Sequence, residues 1–195
     1  VGSRQLPAAF FDRPADEVAP GLLGAIVVSA LGGRVTRGRI VETEAYLGER
    51  DPASHGFKLR RHPGNEALYA APGVWYVYLS YGIHWCANLV CGPEGRAGAV
   101  LLRAVEPVTG IAAMRQRRHG VADGQLCNGP GKLCQALGID RGLDGLPMAG
   151  SRVTVQATSN RVPVEIGVGV RIGITKAADW PLRFTIAGSR WLSRP

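Results

Sequence analysis

Arg39-Ile-Val-Glu-Thr-Glu-Ala-Tyr-Leu47 decides how this chain folds, because polar and apolar residues are set out along it as in a strand. In an extended segment side chains point alternately to opposite faces, so Ile40, Glu42, Glu44 and Tyr46 share one face. Val41, Thr43, Ala45 and Leu47 take the other, which reads as the buried side. Two carboxylates and an aromatic ring are thereby presented together from a rigid element. Downstream, Tyr76-Val-Tyr-Leu-Ser-Tyr-Gly82 puts Tyr76 and Tyr78 on one face, with Tyr81 of opposite parity just before a glycine turn. A carboxylate able to hold water, rings able to stack a planar ligand and an aromatic at a turn suit chemistry on an extruded nucleobase.

Outward from this strand, residues 25–29 read as a short β-branched strand, and Gly32-Gly33 as the turn that leads into a strand over residues 34–47. Residues 6–23 form an entry segment with a short helix, starting near Pro14 or Asp16 and ending near Gly21 or Gly24. Residues 48–72 make a long polar loop holding Asp51, His55, Arg60, Arg61 and His62, of the kind that is functional or mobile in compact domains. Residues 74–81 and 85–91 flank Gly82 as a hairpin-like pair, and 99–106, 153–157, 168–174 and 182–187 read as further strands. Two helices are expected. One covers 108–118 with a basic end at Arg115, Arg117 and Arg118; the other covers 130–137, with Pro130 in its first turn and Gly138 as its stop. Strands dominate and no linker or repeat divides them. The expected architecture is α+β, a single domain over residues 1–195 with a mainly antiparallel curved β-sheet and short helices packed around it.

A chain of 195 residues, 46% hydrophobic and 19% charged, is long enough to bury a core without disulfides. Its net charge of +8 and pI near 9.9 point to a polyanionic partner. General basicity for solubility is the plainer alternative. The basic residues are almost all arginine, Lys58, Lys132 and Lys176 being the exceptions, and arginine favours bidentate phosphate contacts. Cys86, Cys91, Cys127 and Cys134 have no CxxC spacing and no clustered histidines, so buried free thiols are expected and a zinc site is not. The chain opens on Val1-Gly-Ser with no charged-then-apolar leader, and its longest apolar run, residues 22–31, is too short to span a bilayer. The protein is therefore expected to be soluble and intracellular, without membrane contact; a monomer with no metal or cofactor is a further expectation.

Several stretches carry a resemblance in addition. Residues 39–48, Asp51-Pro-Ala-Ser-His55, residues 76–82, Cys86-Ala-Asn88, Leu101-Leu-Arg-Ala-Val-Glu-Pro107, Met114-Arg, Asn128-Gly-Pro-Gly-Lys-Leu-Cys-Gln-Ala-Leu137 and Pro181-Leu-Arg-Phe184 resemble, in order, the alkyladenine (3-methyladenine) DNA glycosylase family. The likeness runs from about Leu6 to Trp191. It implies a base-excision repair enzyme that hydrolyses the N-glycosidic bond of alkylated or deaminated purines in duplex DNA, without lyase chemistry. It puts the catalytic general base at Glu44, with Arg103 and the Ile172 carbonyl helping to hold the attacking water. Tyr46, His55 and Tyr78 match the base-stacking pocket, Asn88 the residue that disfavours a 2-amino group, and Tyr81 the wedge that fills the flipped nucleotide's place. Lys132, beside Gly129 and Gly131, and Arg115, Arg117 and Arg118 are candidate contacts to the DNA backbone. Gly64 stands where relatives commonly carry an arginine, which puts a backbone contact there in doubt.

Residue by residue, plainer roles stand beside these. Glu44 alone reads as a solvated strand carboxylate, and Glu42 as an ion-pair partner. The tyrosines read as strand packing, Tyr81 as a half-buried turn residue, and His55 as a loop cap. Asn88 reads as an asparagine bonding the backbone, and Arg115 as part of a solvated helix face. Two further functional readings are a catalytically inactive damaged-DNA-binding module and a metal-dependent nuclease with Glu42, Glu44, Asp51 and His55 around a divalent ion.

Overall fold

Alternating residues around Glu44 form the strand that the whole sheet is hung on. In a computed structural model, which describes residues 4–158 and 164–194, the strands are β1 (Arg4–Gln5), β2 (Ile26–Ser29), β3 (Thr36–Leu47), β4 (Trp75–Ser80), β5 (His84–Cys91), β6 (Gly98–Thr109), β7 (Val153–Ala157), β8 (Ile166–Gly169) and β9 (Arg183–Ile186). The helices are α1 (Ala8–Phe11), α2 (Ala15–Gly21), α3 (Ile111–Arg117) and α4 (Pro130–Leu137), joined by short 3-10 turns. Val1-Gly-Ser lies outside the described residues. The strands pair antiparallel in the order β1-β7-β2-β3-β6-β5-β4, with β9 also on β3 and β8 on β9. The sheet curls into a half-barrel with few helices, the expected α+β class.

β3 is its spine. Along one edge it pairs with β6 from Arg37 to Leu47; on its other edge β2 takes Thr36 to Arg39 and β9 takes Glu42 to Glu44. Where the partners change, the register slips twice. Ile40 lies opposite Val105 and Glu42 opposite Ala104, so Val41 is an extra residue on β3; Thr43 then lies opposite Leu102, so Arg103 is an extra residue on β6. Bulges bend a strand and re-aim its side chains. They also overturn one expectation: Ile40 does not share the face of Glu42 and Glu44 but joins the core with Ala45, because the extra residue inverts the alternation between them. Nor is Val41, Thr43, Ala45 the only buried side, since Glu42 and Glu44 are also at 0% exposure.

The core fills one face of the sheet. Trp75 and Val77 of β4, Ala87 and Leu89 of β5, and Val100 and Leu102 of β6 pack against Val18, Met114, Leu133 and Leu137 of the helices. The alternate residues of the same strands, Tyr76, Tyr78, Cys86, Asn88, Leu101 and Arg103, face a cleft instead. All four cysteines are free and buried, as expected.

Two further expectations shift for local reasons. The helix expected over 108–118 begins at Ile111, because Val108 and Thr109 continue β6 and Gly110 breaks the chain at φ 78°. A Cβ on Gly110 would lie 2.4 Å from the Val35 carbonyl oxygen, so only glycine fits there. The strand expected over 168–174 pairs only as far as Gly169. Beyond it the chain leaves the sheet, because Arg171 and Ile172 are drawn to buried carboxylates.

A candidate active-site cleft

The cleft, about 720 Å³ in volume, opens on the sheet face opposite the core, with the first turn of α4 at its edge. Its wall is aromatic. The Tyr76 and Tyr78 rings stack with centroids 5.4 Å apart, and His55 meets Tyr78 edge-on at 4.4 Å. His55 and Tyr78 thus touch and form one continuous surface, while Tyr46 lines the cleft from β3. The His55 Nδ1 is 2.7 Å from the Tyr76 hydroxyl. Although His55 is partly open to solvent, its packing removes hydration, and with His62 nearby this holds the imidazole pKa below its ordinary value. Asn88 is buried and donates its side-chain N–H to the Tyr76 carbonyl at 3.1 Å, so its place in the wall is fixed by the backbone.

Beneath the wall lie three carboxylates at 0% exposure, Glu42, Glu44 and Asp51. Each answers the cost of burying charge with nearby donors, Arg103 being shared by Glu42 and Glu44. Glu42 is bound by Arg183 Nε at 2.8 Å and Arg103 Nε at 3.2 Å, and it accepts the Ser193 N–H at 2.6 Å and the Ser193 hydroxyl at 2.8 Å. Asp51 takes a two-pronged pair from the fully buried Arg171 at 2.5 and 2.9 Å, together with the Leu47 and Ala53 N–H groups. Arg171 also donates to the Ala45 carbonyl at 3.1 Å and lies 4.7 Å under the Tyr46 ring, which occupies one face of that ring.

Glu44 is held less fully. Its Oε1 accepts the Ile172 N–H at 2.7 Å and lies 3.4 Å from Arg103, and its Oε2 accepts the Tyr46 hydroxyl at 3.0 Å. Burial pushes its pKa above the ordinary carboxylate value; Arg103, the Ile172 N–H and the Tyr46 O–H pull the other way without cancelling the rise, and Glu42 adds to it. Ile172 therefore meets Glu44 through its N–H. The carbonyl contact to water that the resemblance implies concerns the other side of that residue.

At the rim, Tyr81 stands at the tip of the β4–β5 hairpin, 86% exposed and at φ 50°, with Ile83 beside it 69% exposed. A non-glycine residue in the left-handed region stores strain, which recurs at functional positions. Lys132, in the first turn of α4, lines the cleft and donates to Asn128 at 2.9 Å. Arg115 does not line it: its guanidinium makes a double contact with Asp123 at 2.7 Å on the outer face of α3. Arg118, three residues on, does line it. Gly64 sits in an exposed turn where a Cβ would meet only the His62 ring, at 3.1 Å.

The model of the methylpurine-DNA glycosylase family matches residues 9–190. The chain belongs to that family. A Rhodopseudomonas palustris protein named "Putative 3-methyladenine DNA glycosylase" is 50% identical over 95% of this chain and 86% of its own length. Proteins of the same name from Bradyrhizobium diazoefficiens and Burkholderia orbicola are 46% and 44% identical, over 98% and 96% of this chain and 92% and 90% of their own lengths. Membership makes the protein a DNA glycosylase of base-excision repair.

For a glycosylase of this family the cleft brings together most of the residues singled out by sequence: Tyr46, His55, Tyr78, Asn88, Arg103 and Ile172 line it, and Glu44 lies directly behind. Reading the sequence alone missed Arg171, Arg183 and Ser193, whose carboxylate partners lie 120 or more residues away. The nuclease reading loses its basis, because Glu42, Glu44 and Asp51 point to arginines and backbone N–H groups and not to one another. Among the described residues no group of His, Cys, Asp and Glu has the arrangement of a metal site. Among the same residues no helix is long and apolar enough to cross a membrane.

The Asp51–Arg171 pair ties the loop carrying His55 to β3 and to the segment carrying Ile172, so its loss should loosen all three. Arg171→Met leaves a buried carboxylate without its cation and is expected to lower stability by about 3–5 kcal/mol in urea unfolding. Adding Asp51→Asn removes that stranded charge and should restore much of the loss, a coupling that a double-mutant cycle measures.

Proposed function

We propose that this protein hydrolyses the N-glycosidic bond of alkylated or deaminated purines that have been flipped out of duplex DNA, with Glu44 activating the attacking water. The observation that carries this is a fully buried glutamate, its pKa raised, at the back of a ring-lined cleft. A raised pKa makes the ionised carboxylate a better proton acceptor, which is what a general base requires. Negative charge behind the cleft also favours the oxocarbenium-like sugar that forms as the base departs. Arg103 and Ile172 stand on the same side and are the groups in reach to orient the water.

In this reading the damaged base lies between Tyr46 and the His55–Tyr78 surface. Stacking on aromatic rings contributes roughly 1–3 kcal/mol per base, and a cationic alkylated purine gains a further cation–π term of about 0.5–2 kcal/mol that a normal base lacks. A neutral His55 does not repel such a cation. Asn88, held by the backbone, supplies a rigid wall against a purine 2-amino group. Tyr81 fills the gap in the helix, and Lys132, with Arg118 near it, meets phosphates; Arg115 would have to leave Asp123 to do so. Duplex DNA is the partner, a monomer is sufficient, and no metal or cofactor takes part. The protein acts wherever the cell's DNA is.

Glu44→Gln keeps shape and loses the proton acceptor. Single-turnover base release from a duplex with one hypoxanthine or 7-methylguanine should fall by at least the 10²–10⁴ or so that general-base catalysis provides, while lesion binding by gel shift stays near wild type. Release near the wild-type rate would take Glu44 out of the mechanism.

Tyr81→Ser should impair extrusion more than bond cleavage. The defect is expected to be largest for a stably paired lesion and to shrink when the same lesion sits in a mismatch or a single strand, where flipping costs less. An equal defect on all three would assign Tyr81 to the hairpin's own structure.

A further inference from the structure

The C-terminal segment returns to the floor of the cleft. Ser193, about 90 residues beyond Arg103 and 150 beyond Glu42 in the chain, lies between their side chains. Its hydroxyl is 2.8 Å from Glu42 Oε1 and 3.0 Å from Arg103 Nε. A serine hydroxyl has one proton and free lone pairs. Glu42 is an acceptor and the Arg103 N–H a donor, so the polarity is fixed: the O–H donates to Glu42 and the oxygen accepts from Arg103. The Ser193 N–H holds the other oxygen of Glu42 at 2.6 Å, and Arg183, which binds Glu42 at 2.8 Å, donates to the Arg194 carbonyl at 2.7 Å. The tail is thus anchored independently of the hydroxyl.

Arg103 is divided between two carboxylates. Its Nε serves Glu42 at 3.2 Å and Ser193 at 3.0 Å, and its Nη1 lies 3.4 Å from Glu44. We propose that Ser193 is a positioning residue of the active site: by accepting from Arg103 Nε it keeps the guanidinium from closing onto Glu42 and so holds its far end on Glu44. This rests on the reading of Glu44 as general base. Without the hydroxyl, Nε has only Glu42 to bond, and the pull on Nη1 is away from Glu44. The groups facing Glu44 are Arg103 and Cys86 from β6 and β5, Tyr46 and Glu42 from β3, and the Ile172 N–H, with Arg183 beyond Glu42 and the Asp51–Arg171 pair behind Tyr46. Arg103 is the cation in direct contact with Glu44, so weakening that contact raises the pH at which Glu44 gives up its proton.

The sign follows directly. A base works only when ionised, so base release rises with pH through the Glu44 pKa, and a higher pKa moves that limb to higher pH. Single-turnover release from a hypoxanthine duplex is to be measured against pH for wild type, Ser193→Ala and Ser193→Thr. Ser193→Ala is expected to move the acid limb up by about one pH unit, making release about tenfold slower below the limb and little changed above it. Lesion binding and thermal midpoint should stay near wild type, because the Ser193 N–H remains. Ser193→Thr, which keeps the hydroxyl, should restore the wild-type limb. An unmoved limb in Ser193→Ala, or an equal loss at every pH that Ser193→Thr shares, would overturn the proposal and leave Ser193 as a fastening of the tail. Should Ser193→Ala fail to fold, Ser193→Gly carries the same test. A wild-type profile without an acid limb would instead overturn the general-base reading on which the proposal rests.

Discussion

Burial of charge organises this molecule. Glu42 and Glu44 on β3, and Asp51 just after it, are all removed from water, and a buried carboxylate without partners would cost several kcal/mol. The chain therefore brings in donors from a distance: Arg103 from β6, Arg183 from β9, Arg171 and Ile172 from the segment after β8, and Ser193 from the tail. Those contacts close the far elements over β3 and explain why residues 170–174 leave the sheet. Other features of the cleft follow from them, because Arg171 stacks under Tyr46 while Asp51 starts the loop that carries His55.

The three carboxylates are not equivalent, and the difference separates support from chemistry. Glu42 has four donors, two of them guanidinium groups, and Asp51 has a two-pronged arginine with two backbone N–H groups. Glu44 has one backbone N–H, one phenol and a longer contact to an arginine shared with Glu42. Fewer and weaker donors leave desolvation dominant, and the Glu44 pKa stays high. Such a group is less stable than a fully satisfied ion pair and more useful, since stabilisation that is withheld from the free carboxylate makes it a stronger base. Loss of stability at a reactive site is a familiar companion of activity.

Much of this was legible in the sequence, because it is local. Alternation marks β3, β4 and β5, glycine marks the Tyr81 turn, and Pro130 and Gly138 delimit α4 within a residue. Quoted motifs pointed to Glu44, Tyr46, His55, Tyr78 and Asn88, which meet in one cleft. What escaped depends on partners far along the chain. The bulges at Val41 and Arg103 carry no glycine or other local mark, and they exist only because β2, β9 and β6 meet β3 in a particular register; hence Ile40 was given the wrong face. Arg171 looks like one more residue of an apolar strand until Asp51 is placed beside it. Of the arginines in and after α3, Arg115 and Arg118 differ in role because Asp123 captures the first and leaves the second at the cleft, which no periodicity reveals.

Glu44 is a buried carboxylate whose desolvation outweighs its donors. Its side-chain carboxyl can be observed directly by ¹³C NMR in glutamate-labelled protein, with the resonance assigned by its absence from the Glu44→Gln variant. Titration is expected clearly above the ordinary glutamate value of about 4.3. Titration at or below that value would mean that Arg103, Ile172 and Tyr46 more than offset burial, and it would contradict the reading of Glu44 as a base set up by its surroundings.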